Sequence, residues 1–434
     1  MTAAGTTTDT DDAARIGEVQ RRTVRVLSAS QLLGGVAVAG SVAAGALLAD
    51  AIADSDAAAG LAQTSVVTGA AIVALPLARL ALTRGRRAAL VVGYGVGALG
   101  AAVVVVAAAA QSLPLLLVGS LLLGSSQAAG YGARYAATDL ATEEHRGRAL
   151  SWVVWAATIG AVAGPNLLGP SGSLSEAWGL PPLAGPYLVA VAVLGIAAVV
   201  LFVRLRPDSY LLAAQLAAKA PAPGVTATAA APRVRDGIAH LRGEPVAVLG
   251  IATVAIGHLV MVMVMVMTPV HMAHVDVTVS LIGLVISVHI VGMYAFSPVV
   301  GWAVDRTGAR TVASVGMAIL VVACVISGLT HAGNVLVLGF GLLLLGLGWS
   351  CTLIAGSTMV VEAVGARERP AVQGLSDLVM NGAGALGGAL AGVIVVLTSY
   401  TVLALGALVP IAALAAWSRR VGRGEESPGG ESNS

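Results

Sequence analysis

Basic residues in this chain sit in alternate gaps between apolar segments. All 24 of them (23 Arg and Lys219) lie in the N-terminal tail, at Arg15, Arg21, Arg22 and Arg25, or around 79–87, 134–148, 204–242, 306–310, 367–369 and 419–423. The intervening gaps, near 49–62, 110–114, 169–187, 271–280, 329–334 and 397–401, hold none. Acids sharpen the contrast. The gaps without bases carry five (Asp50, Asp54, Asp56, Glu176, Asp276), a local charge of −5, while the other regions set 24 bases against 17 acids, for +7. Cytoplasmic loops of polytopic membrane proteins carry this excess of Lys and Arg. The alternation predicts a multi-pass protein of the inner (plasma) membrane with both termini in the cytoplasm.

Composition agrees. Of 434 residues 57% are hydrophobic and 11% charged, and the mean hydropathy is +0.90. Water would leave much of that apolar surface uncovered, whereas a bilayer accepts it directly. A spanning helix takes about 20 apolar residues. Twelve such runs fall near 26–49, 62–82, 88–110, 114–136, 149–169, 186–204, 247–270, 279–303, 311–329, 333–355, 371–396 and 400–418. The first 22 residues are polar and lack a signal-peptide core, so the first span is expected to be an uncleaved anchor. Cys324 and Cys351 lie in apolar runs, which argues against a disulfide framework or a zinc finger. The bases are scattered over short loops, so no nucleic-acid partner is expected. Neither a nucleotide-binding P-loop nor a nucleophile–base pair is present, so an enzyme is not expected. No cofactor is expected either; the expected partners are the lipid bilayer and a small-molecule or metal-ion substrate, with the protein a monomer.

The predicted fold is all-α, with twelve spans in two pseudo-symmetric six-helix bundles. An N-terminal tail (1–25) precedes the first bundle (26–204), a central loop (205–246) joins it to the second (247–418), and a tail (419–434) follows. The central loop is rich in Ala and Pro (Pro221, Pro223, Pro232) and reads as a solvated tether. Its second part, Arg233 to Arg242, reads either as part of that tether or as a short amphipathic surface helix. The halves repeat. Ala78-Arg-Leu-Ala-Leu-Thr-Arg-Gly85-Arg86-Arg87 follows span 2, and Gly301-Trp-Ala-Val-Asp305-Arg306-Thr-Gly308-Ala-Arg310 follows span 8, placing Gly85 and Gly308 223 residues apart. Arg146-Gly-Arg-Ala and Arg367-Glu-Arg-Pro, after spans 4 and 10, repeat at an offset of 221. Parallel six-helix repeats are a transporter architecture.

Gly301-x-x-x-Asp305-Arg306-x-Gly308-x-Arg310 resembles the loop signature of the major facilitator superfamily, which places it after spans 2 and 8. The resemblance implies a secondary transporter that works by alternating access, with gating roles for Gly85, Arg86, Arg87, Gly301, Asp305, Arg306, Gly308 and Arg310. The first copy has Leu82 and Thr83 where the signature has its acid and base, which puts the charge contacts of that half in question and leaves a non-transporting sensor as an alternative. Gly160-Ala-Val-Ala-Gly164-Pro165-Asn-Leu-Leu168-Gly169 is similar to the span-5 signature of proton-driven drug exporters, departing from it at Leu168. Glycines four apart allow close helix packing, and Pro165 loosens the backbone ladder. That suits a rocking interface or generic small-residue packing.

Spans 7 and 8 carry the sharpest side-chain pattern. Met261 and Met265 share a helix face with His258; Met263, Met267 and His271 form a second stripe; His289 and Met293 share a face of span 8. Soft thioethers and imidazoles are plausible ligands for Cu(I). This Met-x-x-x-Met and His-x-x-x-Met pattern resembles the CcoA-like copper importers of the same superfamily, relatives of which are linked to riboflavin. On that resemblance Met261, Met265, His289 and Met293 would handle metal. The other reading is an adaptable apolar lining for organic ligands. His258 and His289, and Asp377 flanked by Gln373 and Asn381, are candidates for proton coupling. For each histidine the competing reading is a neutral ring bonded to a backbone carbonyl; for Asp377 it is an ion pair with Arg367 or Arg369. Arg134 is placed near the cytoplasmic end of span 4. His271, His274 and Asp276 at the outer mouth read as a solvated loop or a cation collector. Gln31, Gln127, Tyr131, Tyr135, Trp155, Tyr294 and Trp349 are polar or aromatic residues within spans. The expected function is proton-coupled transport of a small solute, with Cu(I) uptake, efflux of drug-like compounds and riboflavin-like uptake as its possible forms.

Overall fold

The computed structural model describes residues 4–53, 56–219, 239, 241–273, 277, 279–331, 333–366 and 368–425. Among these residues there is no β-strand. A chain in hydrocarbon must satisfy every backbone N–H and C=O from within, and helices do so locally. The first part forms α1 (Ala4–Ala53), α2 (Asp56–Ala110), α3 (Leu113–Ala136), α4 (Arg146–Asn166), α5 (Leu168–Ala177), α6 (Gly185–Arg204) and α7 (Ser209–Lys219). The second forms α8 (Pro245–Ala273), α9 (Val279–Tyr294), α10 (Ser297–Thr307), α11 (Ala309–Leu329), α12 (Val335–Ala363), α13 (Arg369–Leu397), α14 (Tyr400–Gly406) and α15 (Leu408–Glu425).

Local sequence explains the boundaries. Proline opens the first turn of α3, α6 and α10, where its missing N–H costs nothing. The Asn334 side chain accepts the Val337 N–H at 3.3 Å to start α12, and Ser399 accepts the Val402 N–H at 3.2 Å to start α14. Ten helices among the described residues are long and apolar enough to cross a membrane, or eleven when α4 and α5, bent by 58°, are taken as one span. The 55-residue α2 is itself two helices meeting at Gly85, whose φ of 87° and ψ of 170° lie outside helical space. Gly308, between α10 and α11, has φ 87° and ψ 149°. The sequence repeat is thus also a backbone repeat, at positions that glycine alone occupies without strain.

The described chain groups into two compact units. One comprises Met1–Ile238 with Gly365–Leu378, the other Ala239–Val364 with Val379–Ser434. In the first, α2 lies along α3 and α6, and α1 along α4 and α6. Its core holds Leu27, Leu48, Leu116, Leu123, Leu194 and Leu201 around Tyr94 and Tyr187. In the second, α12 is the central element, packed on α8, α9 and α11. Small residues make the seams. A methyl on Gly164 would lie 2.6 Å from the Gly40 nitrogen, where α4 crosses α1, and one on Gly250 would lie 2.7 Å from the Gly356 oxygen, where α8 crosses α12. Lipid supplies no hydrophobic drive for helix association, so this close backbone approach is what the packing rests on. Large apolar side chains such as Leu99, Val106, Ile196, Val199 and Phe202 are exposed, as befits surfaces that meet hydrocarbon.

The central loop departs from the tether expectation at its start, where α7 forms. Asp208 caps it, accepting the Tyr210 N–H at 3.1 Å and the Leu211 N–H at 3.2 Å. Of the Arg233–Arg242 stretch, only Ala239 and the 3₁₀ turn Leu241–Gly243 fall among the described residues.

Both hinge glycines should resist substitution, unequally. Alanine at Gly308 meets open space and carries only the backbone strain of its positive φ, about 1–3 kcal/mol. Alanine at Gly85 carries the same strain and also collides with the Asp208 carboxylate. Thermal unfolding in one detergent should rank the variants wild type, Gly308→Ala, Gly85→Ala in falling stability. Equal losses would mean that Asp208 yields freely.

Candidate functional site

Four oppositely charged side chains pair inside the first unit. Arg86, at the start of the second α2 helix, grips Asp139 with two bonds, Nε to Oδ2 at 3.0 Å and Nη2 to Oδ1 at 3.0 Å. Arg134, near the end of α3, donates from Nη2 to Asp377 Oδ1 on α13 at 2.6 Å. Arg134 is 1% exposed and Asp377 5%. Charges this deep survive only when paired and bonded further, and the surroundings do both. Arg86 Nη2 also donates to Gln373 Oε1. Ser209 Oγ, on the first turn of α7, donates to Asp139 Oδ2 at 3.0 Å. The Arg134 guanidinium carbon stands 4.7 Å from the Tyr135 ring centroid and 5.3 Å from that of Tyr131, within cation–π range. Tyr135 Oη donates to Ser376 Oγ at 3.1 Å, and Gln127 Nε2 to Tyr131 Oη at 3.0 Å. Beside the pairs lies a cavity of about 40 Å³, walled in part by Arg86, Gln373 and Asp377. It has room for about three waters, by the rule of roughly 10–15 Å³ each. Gln373 Nε2, buried and without a hydrogen-bond partner among the described residues, would welcome one.

This arrangement departs from the ion pair read for Asp377. The partner of Asp377 is Arg134 rather than Arg369; Arg367 lies outside the described residues. Arg134 lies in the last turn of α3 and is one of the largest fully buried side chains. The acid missing at Leu82 is replaced from elsewhere in the chain. Asp139 takes Arg86, and Asp208 Oδ2 accepts the Arg87 N–H at 2.8 Å. Leu82 instead joins Tyr210 and Ala371 in a small apolar cluster. Asp208, Ser209 and Tyr210 do not stand out in the sequence. Asp208-Ser209 before Tyr-Leu-Leu-Ala-Ala-Gln-Leu was the available helix-start signal.

In the second unit both intramembrane histidines find partners on α12. Trp349 Nε1 donates to His258 Nδ1 at 3.0 Å, and the Tyr294 ring meets Trp349 edge-on at 5.7 Å. Gly384 of α13 abuts His258, since a methyl there would stand 2.7 Å from Cδ2. His289 is fully buried, its Nδ1 2.8 Å from the Leu342 carbonyl oxygen. A carbonyl accepts only from N–H, so Nδ1 carries the proton there. Met261, Met263 and Met293 are buried, and Met265 and Met267 half-buried. Among the described residues no cluster of three or more His, Cys, Asp or Glu could hold a metal ion.

The remaining named residues fall as follows. Gly160 and Gly164 lie in the α1–α4 seam; Pro165 has its backbone in α4, its side chain lying outside the described set. Gly301 is buried in α10, Asp305 and Arg310 are half-buried, and exposed Arg306 stands 5.5 Å from the Trp302 ring. His271 stacks on Tyr400 at 4.2 Å; His274 and Asp276 lie outside the described residues. Tyr94 Oη donates to Gln31 at 3.1 Å, and Trp155 meets Trp152 edge-on at 5.6 Å. Asn381 is buried.

Both helical units expose large apolar side chains, and the first holds buried ion pairs within. The chain belongs to the Major Facilitator Superfamily, whose model matches residues 27–276 and 249–433. It is accordingly a membrane transporter and not an enzyme. It is 38% identical over 385 residues to the uncharacterized MFS-type transporter YdeG of Bacillus subtilis, covering 89% of this chain and 88% of that one. It is 26% identical over 374 residues to the riboflavin transporter RfnT of Brucella anthropi, covering 83% and 86%. The fold matches that of the human organic anion transporter MFSD10 at a TM-score of 0.70 and 17% identity, covering 92% and 99%.

Removing one member of a buried pair strands the other. Asp139→Ala should destabilise by about 3–5 kcal/mol. The double change Arg86→Leu with Asp139→Leu should cost less than the two single leucine changes added together, read from unfolding midpoints. Strict additivity would refute the pairing.

Proposed function

We propose that this protein is a proton-coupled secondary transporter of a small organic solute, and that Asp377 is the group that carries the coupling proton. The observation behind this is the buried Arg134–Asp377 bond at 2.6 Å. A carboxylate so placed is stable while it faces its arginine. Once it leaves that arginine it must either meet water or take up a proton, because an uncompensated charge in this environment is expensive. Proton uptake and release of the first turns of α13 from α3 are then one event, which is what alternating access requires of a coupling site. Counting α2 as two crossings and α4–α5 as one is compatible with twelve spans, and the charge alternation supports a reading with both termini cytoplasmic; the proposed protein is a monomer of the inner membrane. The His258–Trp349–Tyr294 group, with Met261 and Met265 on the same helix as His258, reads as substrate lining.

The solute reading leans toward flat aromatic compounds. The named relative RfnT is a riboflavin transporter, and Trp349 and Tyr294 offer ring faces and edges. Cu(I) uptake is the weaker reading, because the relative whose substrate is named transports riboflavin, an organic solute. Proteoliposomes with an imposed pH gradient test the proposal against a panel of flavins, drug-like amines and Cu(I). Wild type should accumulate an organic member of the panel saturably. Asp377→Asn should lose gradient-driven accumulation at least tenfold while retaining solute exchange at equal pH. Accumulation undiminished in Asp377→Asn would remove Asp377 from proton coupling. Copper uptake lost with His289→Ala would install the metal reading instead.

A further inference from the structure

Gln373 lies one turn before Asp377 on α13, so the two side chains leave the same face of that helix. The two ends of its amide have different surroundings. Oε1 accepts from Arg86 Nη2. A guanidinium has no acceptor, so only the amide oxygen can meet it, and the orientation of the amide is thereby fixed. Nε2 is the other end, buried and without a hydrogen-bond partner among the described residues. Gln373 as a whole is 2% exposed. Both Gln373 and Asp377 wall the cavity of about 40 Å³. Among the described residues that complete the wall, Arg86 is the one polar side chain; the others are Ala, Leu, Gly and Pro.

We propose that Gln373 is a positioning residue for Asp377 and acts on it through water held in this cavity. Nε2 donates to a water, and the water donates to the Asp377 carboxylate, the one side-chain acceptor in the wall besides the amide oxygen already given to Arg86. The bridge joins two ion pairs into one chain, running Asp139, Arg86, Gln373, water, Asp377, Arg134. A buried N–H is costly to leave unbonded, and a buried water needs two to four polar partners; the bridge answers both demands. Its consequence is electrostatic. A donor aimed at a carboxylate favours the charged form. When Asp377 takes up a proton it loses acceptor capacity on that side, and Gln373 cannot offer its oxygen instead without releasing Arg86. Either the bridge is lost or the amide turns and gives up Arg86, so one proton acts on both pairs. The bearing on transport rests on the reading of Asp377 as the coupling group; the bridge itself does not. The other charged and titratable groups about Asp377 are Arg134, Tyr131 and Tyr135 on α3 and Arg86 on α2. Asp139, Glu143 and Arg146 gather with Arg86 about Arg369, the first residue of α13, and Tyr210 of α7 lies against Arg86. None of these is replaced in the test variants of Gln373 and the cavity.

Infrared difference spectroscopy of the full chain in a bilayer, titrated in pH, tests the bridge. The carboxyl and carboxylate bands lost in Asp377→Asn are the Asp377 signal. Gln373→Met keeps the length of the side chain and removes its amide. With a donor to the charged form gone, the carboxyl band should persist to higher pH than in wild type, by about one pH unit, roughly tenfold in proton affinity. Ala128→Val leaves Gln373 and Asp377 in place and puts two more carbon atoms into the cavity. By excluding water it should move the band in the same direction, and it carries the test alone if Gln373→Met fails to fold. In wild type, exchange into water labelled with heavy oxygen should shift an O–H stretching band that both variants lack. A purely structural role for Gln373 would lower the unfolding temperature of Gln373→Met and leave the Asp377 bands in place in both variants. That result would overturn the proposal, whether or not Asp377→Asn keeps gradient-driven transport. The expected shift together with undiminished accumulation by Asp377→Asn would uphold the bridge and remove only the coupling role.

Discussion

Two arginines and two aspartates are held out of water in the first unit, and much of its architecture can be understood as the means of keeping them paired. An isolated charge in such a place is prohibitive, and an ion pair is tolerable only when the remaining N–H groups and lone pairs are also used. That requirement reaches far along the chain. Asp139 comes from the turn after α3 and Ser209 from the first turn of α7, while Gln373 and Asp377 come from α13. Segments separated by more than two hundred residues are thereby committed to one spot. The helix after the first bundle is drawn in by the same demand. Ser209 and Tyr210 are buried, and Asp208 serves at once as cap of α7 and as acceptor for the N–H of Arg87.

The glycine at 85 is part of that solution. Its φ of 87° and ψ of 170° let the chain turn between two helices without an intervening loop, which places Arg86 and Arg87 at the very start of the next helix. No Cβ separates the turn from Asp208, so the carboxylate can approach the backbone. The corresponding Gly308 shares the φ but meets nothing within 4 Å. The two halves of the repeat therefore keep the same bend for different surroundings. The second half retains Asp305 and Arg306 of the loop signature, and the first half has replaced them with contacts from outside the loop.

Much of the fold was legible in the sequence because a bilayer simplifies the problem. Apolar runs of spanning length in a chain with 11% charged residues leave helices as the solution, and the paired Gly85 and Gly308 announced the repeat. The site was legible only in fragments. Asp377 with Gln373 and Asn381 stood out as a polar stripe in an apolar helix, but its partner Arg134 is 243 residues away, and nothing in local spacing joins them. Proximity in sequence pointed instead to Arg367 and Arg369. The central loop misled for a related reason. Its Ala- and Pro-rich composition dominates the stretch and hides the short Asp208-Ser209 start of α7, which is fixed by tertiary contacts more than by propensity.

The histidines illustrate a different limit. From sequence, His258 and His289 are equivalent, each an ionisable ring in the middle of an apolar run. Their surroundings separate them. His289 donates Nδ1–H to a carbonyl of α12 and has no exposure, and its Nε2 is buried without a hydrogen-bond partner among the described residues. His258 accepts from the indole of Trp349, itself in edge contact with Tyr294. A nitrogen that accepts from an indole keeps its lone pair directed there and places the ring proton on Nε2. Opposite tautomers follow for two residues of one type in neighbouring helices. The difference is fixed by α12, whose carbonyl faces one ring while its tryptophan N–H faces the other. That helix is thus the element from which the chemistry of the second unit is set, much as the paired arginines set that of the first.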